Sequence, residues 1–441
     1  MQLFKRVALF SFLLLSSFVC AAAQRPADVR AAAAAACPSC GVERVERRHI
    51  VGDVFEYSFE LKVGAGPHDR VGLHRVVRER ANGVPFKAMR AVFMVHGDVW
   101  GFDEAFMSST LSGAVPRERS VGVYLAQRGL DVWGIDLRWT QVTADTTDFN
   151  FMKDWNLSTH VSDVGVAVGV ARGVREATGS GGGRVALLGW SRGGTIAYAY
   201  ANAEAALPEQ SRQVDALIPV DIAFKLNPEH EEERAAACAR YAAGQQQLAA
   251  GVYNSPQGVL VRNLGLLAAT APADASPVLA GLNNRQAALL VGSATHLLFA
   301  PYPPVPFYHF TAGTFDANGL PAGLQFTPEA YLYDFYQTAA PFQSTTEQAE
   351  TDGVLCGDTL PYDDNLAAVN VPVYFVGAGG GFGDFGLDTL SRLGSADVTA
   401  NVVKLYGPEG RPVEFGHADL FLADDAKELV WKPLSDWLVS H

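Results

Sequence analysis

The strongest chemical signal in the sequence is a serine flanked by glycines, Gly189-Trp-Ser-Arg-Gly193. It directly follows the apolar run Val185 to Leu188, which predicts a buried strand, and small residues that suit a closely packed helix follow it. A serine on a sharp turn between strand and helix needs small neighbours two residues away on each side, because the backbone there is crowded. The helix start also favours a developing negative charge. The pattern therefore predicts Ser191 as a nucleophile.

A serine hydroxyl is a poor nucleophile until a base removes its proton. His417 is the predicted base, because it lies in a loop after the last predicted strand and before the final helix. Successive parallel strands end at one edge of a sheet, so this loop is expected at the same edge as Ser191. His96 is the alternative base, but it closes a strand in a His-Gly turn, where a histidine is expected to order the loop.

The elements around these residues alternate between strand and helix. An opening hairpin is predicted at Val54 to Val63 and Val71 to Arg78. The later predicted strands are Ala91 to Val95, Leu130 to Ile135, Arg184 to Leu188, Ala216 to Val220, Val371 to Val376 and Val402 to Tyr406. The predicted helices are Ser162 to Ala177, Gly193 to Ala206 and Lys427 to Ser440, and Ser162 is the predicted N-cap of the first. This alternation predicts an α/β fold with a mostly parallel, doubly wound sheet.

Residues 222–362 interrupt the alternation. They begin with an alanine-rich helical stretch, Glu231 to Gly251, and continue with loops and clustered prolines. An insertion of this length between two strands predicts a cap over the strand ends. The expected organisation is a signal peptide at 1–23, a first core part at 24–221, the inserted cap or lid at 222–362, and a second core part at 363–441.

The amino terminus predicts export. Lys5 and Arg6 precede an unbroken run of apolar and small residues, Val7 to Val19, and the alanines before Gln24 offer a cleavage site. The run is too short to span a bilayer comfortably, and no later segment has a transmembrane pattern. A secreted or periplasmic location is expected. Four cysteines remain after cleavage and predict disulfides, with the pairing left open: Cys37, Cys40, Cys238 and Cys356.

The composition limits the partners. Apolar residues make up 49% of the 441 residues and charged residues 18%, which indicates a globular chain. The formal charge of −13 disfavours nucleic acid and anionic membrane surfaces, because both require a basic face. A neutral substrate is unaffected by this argument.

With this order of nucleophile and histidine, residues 85 to 221 and 365 to 440 resemble the α/β-hydrolase superfamily. Within it, Leu130-Asp-Val-Trp-Gly134 and Phe151-Met-Lys-Asp-Trp155 are similar to segments of acid-lipase-type enzymes. The resemblance implies hydrolysis of carboxylic esters of hydrophobic substrates. The cap has no counterpart among these relatives, so the substrate itself does not carry over.

The third member of the predicted triad is an acid that orients His417, and it should end a neighbouring strand. Asp384 is the first choice, because relatives commonly place the acid after the strand equivalent to Val371 to Val376, and a glycine-rich loop precedes it. Asp221, which directly follows the strand Ala216 to Val220, is the alternative, and Asp388 comes third. Asp419 is expected to be a structural partner within its own loop.

The resemblance also implies an oxyanion hole made of two backbone amides. One belongs to Arg192, the residue after the nucleophile, and the other to Asp98, after the His-Gly turn. Asp98 departs from the family, in which many members carry an apolar residue there. An ionised carboxylate pointing inward would oppose the oxyanion. Val99 is the alternative donor.

The expected function is therefore ester hydrolysis through an acyl-enzyme, with a small-molecule or lipid-like ester as substrate. No metal ion or organic cofactor is implied. One alternative is a peptidase or amidase of the same fold, for which Glu231, Glu232 and Glu233 offer a site for a substrate amine, although a solvated helix face explains them as well. The other is a binding protein that has kept the fold without its chemistry.

Overall fold

A mixed, mostly parallel sheet forms the centre of the protein, in a computed structural model that describes residues 26–81 and 83–441. The predicted signal peptide lies outside the described residues. The strands are β1 Gly41–Val51, β2 Val54–Lys62, β3 Arg70–Ala81, β4 Val84–Pro85, β5 Ala91–Val95, β6 Asp131–Asp136, β7 Val185–Trp190, β8 Val214–Val220, β9 Asn254–Ser255, β10 Gly313–Phe315, β11 Pro321–Leu324, β12 Gln343–Ser344, β13 Val373–Ala378 and β14 Val398–Val403.

The large sheet has the order β1-β2-β3-β6-β5-β7-β8-β13-β14, and β4 pairs with β3. The pairs from β6 to β14 are parallel, whereas β1, β2 and β3 run antiparallel to their neighbours. The predicted α/β architecture is confirmed. The parallel strands bring their carboxyl ends to one edge of the sheet, where loops can meet.

Short apolar runs form the central strands because both faces of the sheet are covered. All five residues of β5 are buried. Phe93 packs into the apolar cluster beneath α4 and α5, and its neighbour Met94 packs into the cluster on the opposite face. Alternating side chains therefore anchor the strand in two cores.

The helices cover both faces of this sheet and build the inserted segment. They are α1 Pro26–Ala36, α2 Phe102–Phe106, α3 Val121–Gln127, α4 Leu157–Ala177, α5 Arg192–Ala205, α6 Glu231–Ala249, α7 Gln257–Thr270, α8 Asn284–Ser293, α9 Glu329–Gln337, α10 Thr345–Cys356, α11 Leu387–Leu390, α12 Asp419–Leu422 and α13 Lys432–Ser440.

Several elements differ from the sequence prediction. Helix α4 begins at Leu157, and its N-cap is Asn156 rather than Ser162, because the Asn156 side chain accepts the Thr159 N–H at 2.9 Å. The last strand lies at Val398–Val403, four residues earlier than predicted at its start, and most of its side chains are exposed or half-buried. The closing helix begins with a π turn at Lys427–Trp431 before α13.

The segment between β8 and β13 contains α6 to α10 and the short strands β9 to β12. A disulfide joins Cys238 of α6 to Cys356 of α10, and a second joins Cys37 to Cys40. The boundaries of a separate cap domain at 222–362 stay a prediction. A search of the described helices finds none with the length and apolar character needed to cross a bilayer.

Candidate active site

Ser191 occupies a strained turn between β7 and α5. Its backbone has φ 56° and ψ −129°, a conformation that a residue with a side chain rarely adopts. The flanking glycines make the turn possible: a Cβ added to Gly189 would lie 2.1 Å from the Gly193 carbonyl oxygen, and one added to Gly193 would lie 2.2 Å from the Val95 oxygen. The strained geometry is the one expected for a nucleophile elbow.

His417 and Asp221 form a buried hydrogen-bonded pair close to this turn. Nδ1 of His417 lies 2.6 Å from Oδ2 of Asp221, and the two residues are 2% and 0% exposed. The indole of Trp190, directly before the serine, stacks on the His417 ring with centroids 5.1 Å apart. A carboxylate at Nδ1 fixes the tautomer that leaves Nε2 free to accept a proton.

The glycine-rich loop after β13 holds the Asp221 carboxylate. The amide N–H groups of Ala378, Phe382 and Gly383 donate to it at 2.8, 3.2 and 2.9 Å. A Cβ on Gly381 would lie 1.9 Å from Oδ2 of Asp221, so the loop closes this tightly only with glycine there. Four donors, including the imidazole, therefore fix the carboxylate.

Asp384, the first choice from the sequence, lies elsewhere. Its side chain is 56% exposed and forms an ion pair with Lys404 on the surface. Asp388, the third choice, accepts hydrogen bonds from Asn227 and contacts Nδ1 of His230 at 2.6 Å. The structure thus joins His417 to Asp221, the alternative acid, while Asp384 lies on the surface. Which carboxylate acts in catalysis stays a prediction.

The loop after β5 packs directly on the serine. A Cβ added to Gly97 would lie 2.7 Å from Cβ of Ser191 and 3.3 Å from its Oγ. Across residues 26–81 and 83–441, no hydrogen bond engages the amide N–H of Asp98 or of Arg192. Neither amide has a partner among the described residues, as donors to an oxyanion would require.

The side chain of Asp98 is neutralised by Arg192. Nη2 and Nε of Arg192 lie 2.9 and 2.5 Å from the two carboxylate oxygens, and Gln343 also donates to Asp98. Burial raises the pKa of Asp98, but the arginine charge and these hydrogen bonds outweigh it and hold the pKa below its ordinary value. The carboxylate is therefore ionised and paired with a cation.

Val99, the alternative oxyanion donor, lies in a tight left-handed turn with φ 56°. The Trp100 N–H donates to the Asp98 carbonyl at 2.9 Å, and the Val99 carbonyl accepts the Ala340 N–H at 2.6 Å. These bonds fix the turn from both sides. The choice between the amides of Asp98 and Val99 stays a prediction.

The sequence matches no protein-family model and no curated protein. A crystal structure of a lipase-like protein from Sulfolobus solfataricus shares 19% identity with this chain, and the alignment covers 90% of this chain and 99% of that one with a TM-score of 0.59. The chain has the α/β-hydrolase fold. A lipase in an open form aligns at 14% identity, 90% and 99% coverage and a TM-score of 0.41. A monoglyceride lipase variant from Saccharomyces cerevisiae aligns at 14% identity, 91% and 96% coverage and 0.34.

A cavity of about 300 Å³ opens on Ser191 above the strand ends of the α/β-hydrolase core. Asp98, Arg192 and the ring of Phe382 line it on the core side, and the ring of Tyr308 lines it from the inserted segment. The remaining wall comes largely from α6 and α10, which the Cys238–Cys356 disulfide joins. Gln343, which contacts Asp98 from the inserted segment, was not predicted as a site residue, because no local motif marks it.

Two further residues have the roles expected from the sequence. His96 accepts the Leu137 N–H at Nε2 and donates from Nδ1 to the Gly97 carbonyl, so it orders the loop beside Ser191. Burial lowers its pKa. Asp419 accepts the amide N–H groups of Gly416 and Ala312 at 2.8 and 2.7 Å, and so fixes the loop that carries His417.

Glu56, His74 and Asp103 have ligand atoms within 4.8 Å of one another, as a metal site would require. However, Arg48 contacts Glu56 and Asp103 at 2.6 and 2.5 Å. Burial lowers the pKa of His74, but Asp136 and Glu56, at 3.0 and 2.7 Å, more than offset it and raise that pKa well above its ordinary value. Both ring nitrogens of His74 and the carboxylates of Glu56 and Asp103 already have partners, so this group forms an ion-pair network that joins the antiparallel strands to α2.

Proposed function

We propose that this protein is a secreted serine hydrolase that cleaves carboxylic esters through an acyl-enzyme on Ser191. The observation that carries the proposal is the 2.6 Å contact between His417 and Asp221 beside a strained serine turn. This arrangement of base and acid next to a hydroxyl is the one that nucleophilic acyl transfer requires.

In the proposed mechanism, His417 takes the proton from Ser191 while the hydroxyl oxygen attacks the ester carbonyl. The amide N–H groups of Arg192 and Asp98 stabilise the oxyanion of the tetrahedral intermediate. Asp221 stabilises the imidazolium, which then protonates the departing alcohol. Water hydrolyses the acyl-enzyme by the same steps, and this second reaction releases the acid and restores the serine.

The surroundings of the serine support a neutral ester rather than a charged substrate. Each cation lining the cavity is paired with an anion: Arg192 with Asp98, and Arg240 with Asp352 at 2.7 Å. Among the described residues that line the cavity, no cation is therefore left unpaired to recognise an anionic group. For export, the two disulfides support an oxidising destination.

A fluorophosphonate probe tests the proposal, because it reacts only with an activated serine. We expect the wild-type protein to be labelled and the Ser191→Ala variant not to be. Ser158→Ala is the matched control, since Ser158 is an exposed serine in the first turn of α4, and it should be labelled like the wild type. A folded wild-type protein that never reacts with the probe would contradict a catalytic role.

Substrate assays separate esterase from peptidase chemistry. We expect hydrolysis of nitrophenyl acyl esters and no cleavage of aminoacyl anilides. A peptidase would use the acidic residues at the start of α6 to bind a substrate amine. Glu231 and Glu232 are exposed, Glu233 is half-buried, and Glu231 pairs with Arg234. Preferential cleavage of the anilides would replace the proposal with an aminopeptidase.

A further inference from the structure

One loop of the inserted segment has its two ends joined by a backbone hydrogen bond and carries apolar side chains on its outer surface. The N–H of His296 donates to the carbonyl of Tyr308 at 2.7 Å, which closes residues 296–308 into a compact loop. Arg240 donates to the carbonyls of Tyr302 and Pro303, and Arg411 to that of Pro306. Two arginine side chains therefore fix the backbone of this apolar loop, residues 296–308.

The apolar loop exposes large apolar side chains that the fold leaves uncovered. Their exposed fractions run from 37% to 54%, and they are Leu297, Leu298, Phe299, Tyr302 and Phe307. Phe307 also has φ 57°, so the backbone is strained where it presents this ring to solvent. Exposing several large apolar groups together is unfavourable in water and marks an interaction surface.

The loop also forms part of the active-site cavity. Phe299, Pro304 and Tyr308 line the same cavity as Ser191. One element of thirteen residues, 296–308, thus has apolar groups toward solvent and apolar groups toward the nucleophile. A substrate leaving an apolar phase would meet apolar contacts all along this loop.

The charges of the loop and of the whole protein indicate which kind of surface the loop can bind. No Asp, Glu, Lys or Arg occurs from Gln286 to Phe315, in a chain with 18% charged residues. The net charge of −13 opposes attraction to an anionic surface. An uncharged apolar loop on an acidic protein matches a surface of neutral lipid, into which apolar and aromatic side chains transfer favourably.

We infer that the apolar loop docks the protein on a neutral lipid surface and thereby places the Ser191 cavity against its substrate. This inference deepens the proposed function and rests on it for the identity of the reaction, but docking itself is measured without turnover. The substrate class is then a neutral ester that is sparingly soluble in water and resides in that surface.

Co-sedimentation with phosphatidylcholine vesicles tests the docking. We expect the wild type to bind, and Leu297→Ser/Leu298→Ser to lower the partition coefficient about tenfold or more, because two side chains lose their transfer into lipid. Val398→Ser/Val439→Ser is the matched control, since these exposed valines lie near the opposite end of the fold, beside the amino end of β14, and it should bind like the wild type. Absence of wild-type binding, or equal binding by all three proteins, would overturn the inference.

Two further measurements distinguish the alternatives. Ser191→Ala should bind vesicles like the wild type. If the wild type binds vesicles but is not labelled by the fluorophosphonate, only the proposed function is contradicted. If it is labelled but does not bind vesicles, only the docking is contradicted. Sedimentation velocity without lipid should show a monomer. A dimer that the Leu297→Ser/Leu298→Ser variant dissociates would instead assign the loop to contacts between copies, and tighter binding to anionic vesicles would refute the neutral surface.

Discussion

Replacing Asp221 by Asn tests the geometry on which the proposed mechanism depends. The carboxylate contacts His417 at 2.6 Å, and both residues are almost fully buried. For charge centres about 4 Å apart at an effective dielectric of about 20, the attraction between a carboxylate and an imidazolium is about 4 kcal/mol. Each 1.36 kcal/mol corresponds to tenfold in rate, so kcat should fall about 1000-fold.

Asp384→Asn is the matched control for this change. Asp384 is 56% exposed and paired with a surface lysine, so its loss should leave kcat within about twofold of the wild type. The assay is hydrolysis of a nitrophenyl acyl ester at saturating concentration, with circular dichroism melting to confirm that each variant is folded. The folding control matters because Asp221 also accepts three backbone N–H groups.

The reasoning would be refuted by the reverse ranking. If a folded Asp384→Asn lost two orders of magnitude or more while a folded Asp221→Asn lost less than tenfold, the acid of the working enzyme would be Asp384. The glycine-rich loop would then have to rearrange during catalysis. Loss of activity in both variants would point to a loop that depends on the two carboxylates together.

Three further predictions concern the nucleophile, the pH dependence and the inserted segment. Gly97→Ala should lower kcat about 100-fold, because its Cβ would lie 2.7 Å from Cβ of the serine. Gly113→Ala, whose Cβ would have no atom of the described residues within 4 Å, should match the wild type in the same ester assay. Burial raises the pKa of Asp419 from 3.8 to about 6. The folded state therefore binds this proton more tightly than the unfolded chain does. As a result, the wild type loses stability as pH rises from about 4 to about 6. In urea unfolding, the stability of wild type relative to Asp419→Asn should fall by about 3 kcal/mol across that range, and a constant difference would contradict the prediction. Removing the Cys238–Cys356 bridge, whose cysteines are 118 residues apart, should lower the free energy of unfolding by about 5 kcal/mol through chain entropy. Removing the short Cys37–Cys40 bridge should lower it by about 2 kcal/mol. Equal urea midpoints for the two variants would argue against the entropic account.

The core of the fold was predictable from the sequence because its strands are buried on both faces. Such strands must be apolar throughout, and β5 was placed at Ala91–Val95 without error. The edge strands were not predictable in the same way. Strand β1, Gly41–Val51, carries arginines and glutamates and buries few side chains, so no apolar pattern marks it. The same exposure explains the displaced boundaries of β14.

The strained turn at Ser191 was predictable and the hydrogen-bond partner of His417 was not, for a physical reason. The crowding around Ser191 is local, so glycines within two residues record it in the sequence. The partner of His417 is decided by how the loop after β13 closes, and the sequence suggested that its glycines would bend Asp384 back. The structure uses them differently: Gly381 leaves room for the Asp221 carboxylate, and nearby amides bind it. When a loop binds a residue from a distant segment, the sequence around the loop carries no pattern that identifies this partner.

Asp98 shows how an unfavourable residue becomes compatible with oxyanion chemistry. A lone carboxylate beside the oxyanion would repel it. Arg192 neutralises that charge, and because Asp98 and Arg192 supply the two proposed N–H donors, the same ion pair ties the two donor segments together. Gln343 extends the link to the inserted segment, since its amide also donates to Asp98. Movement of β12 would therefore disturb the proposed oxyanion donors, and we expect the position of the inserted segment to affect the stabilisation of the transition state.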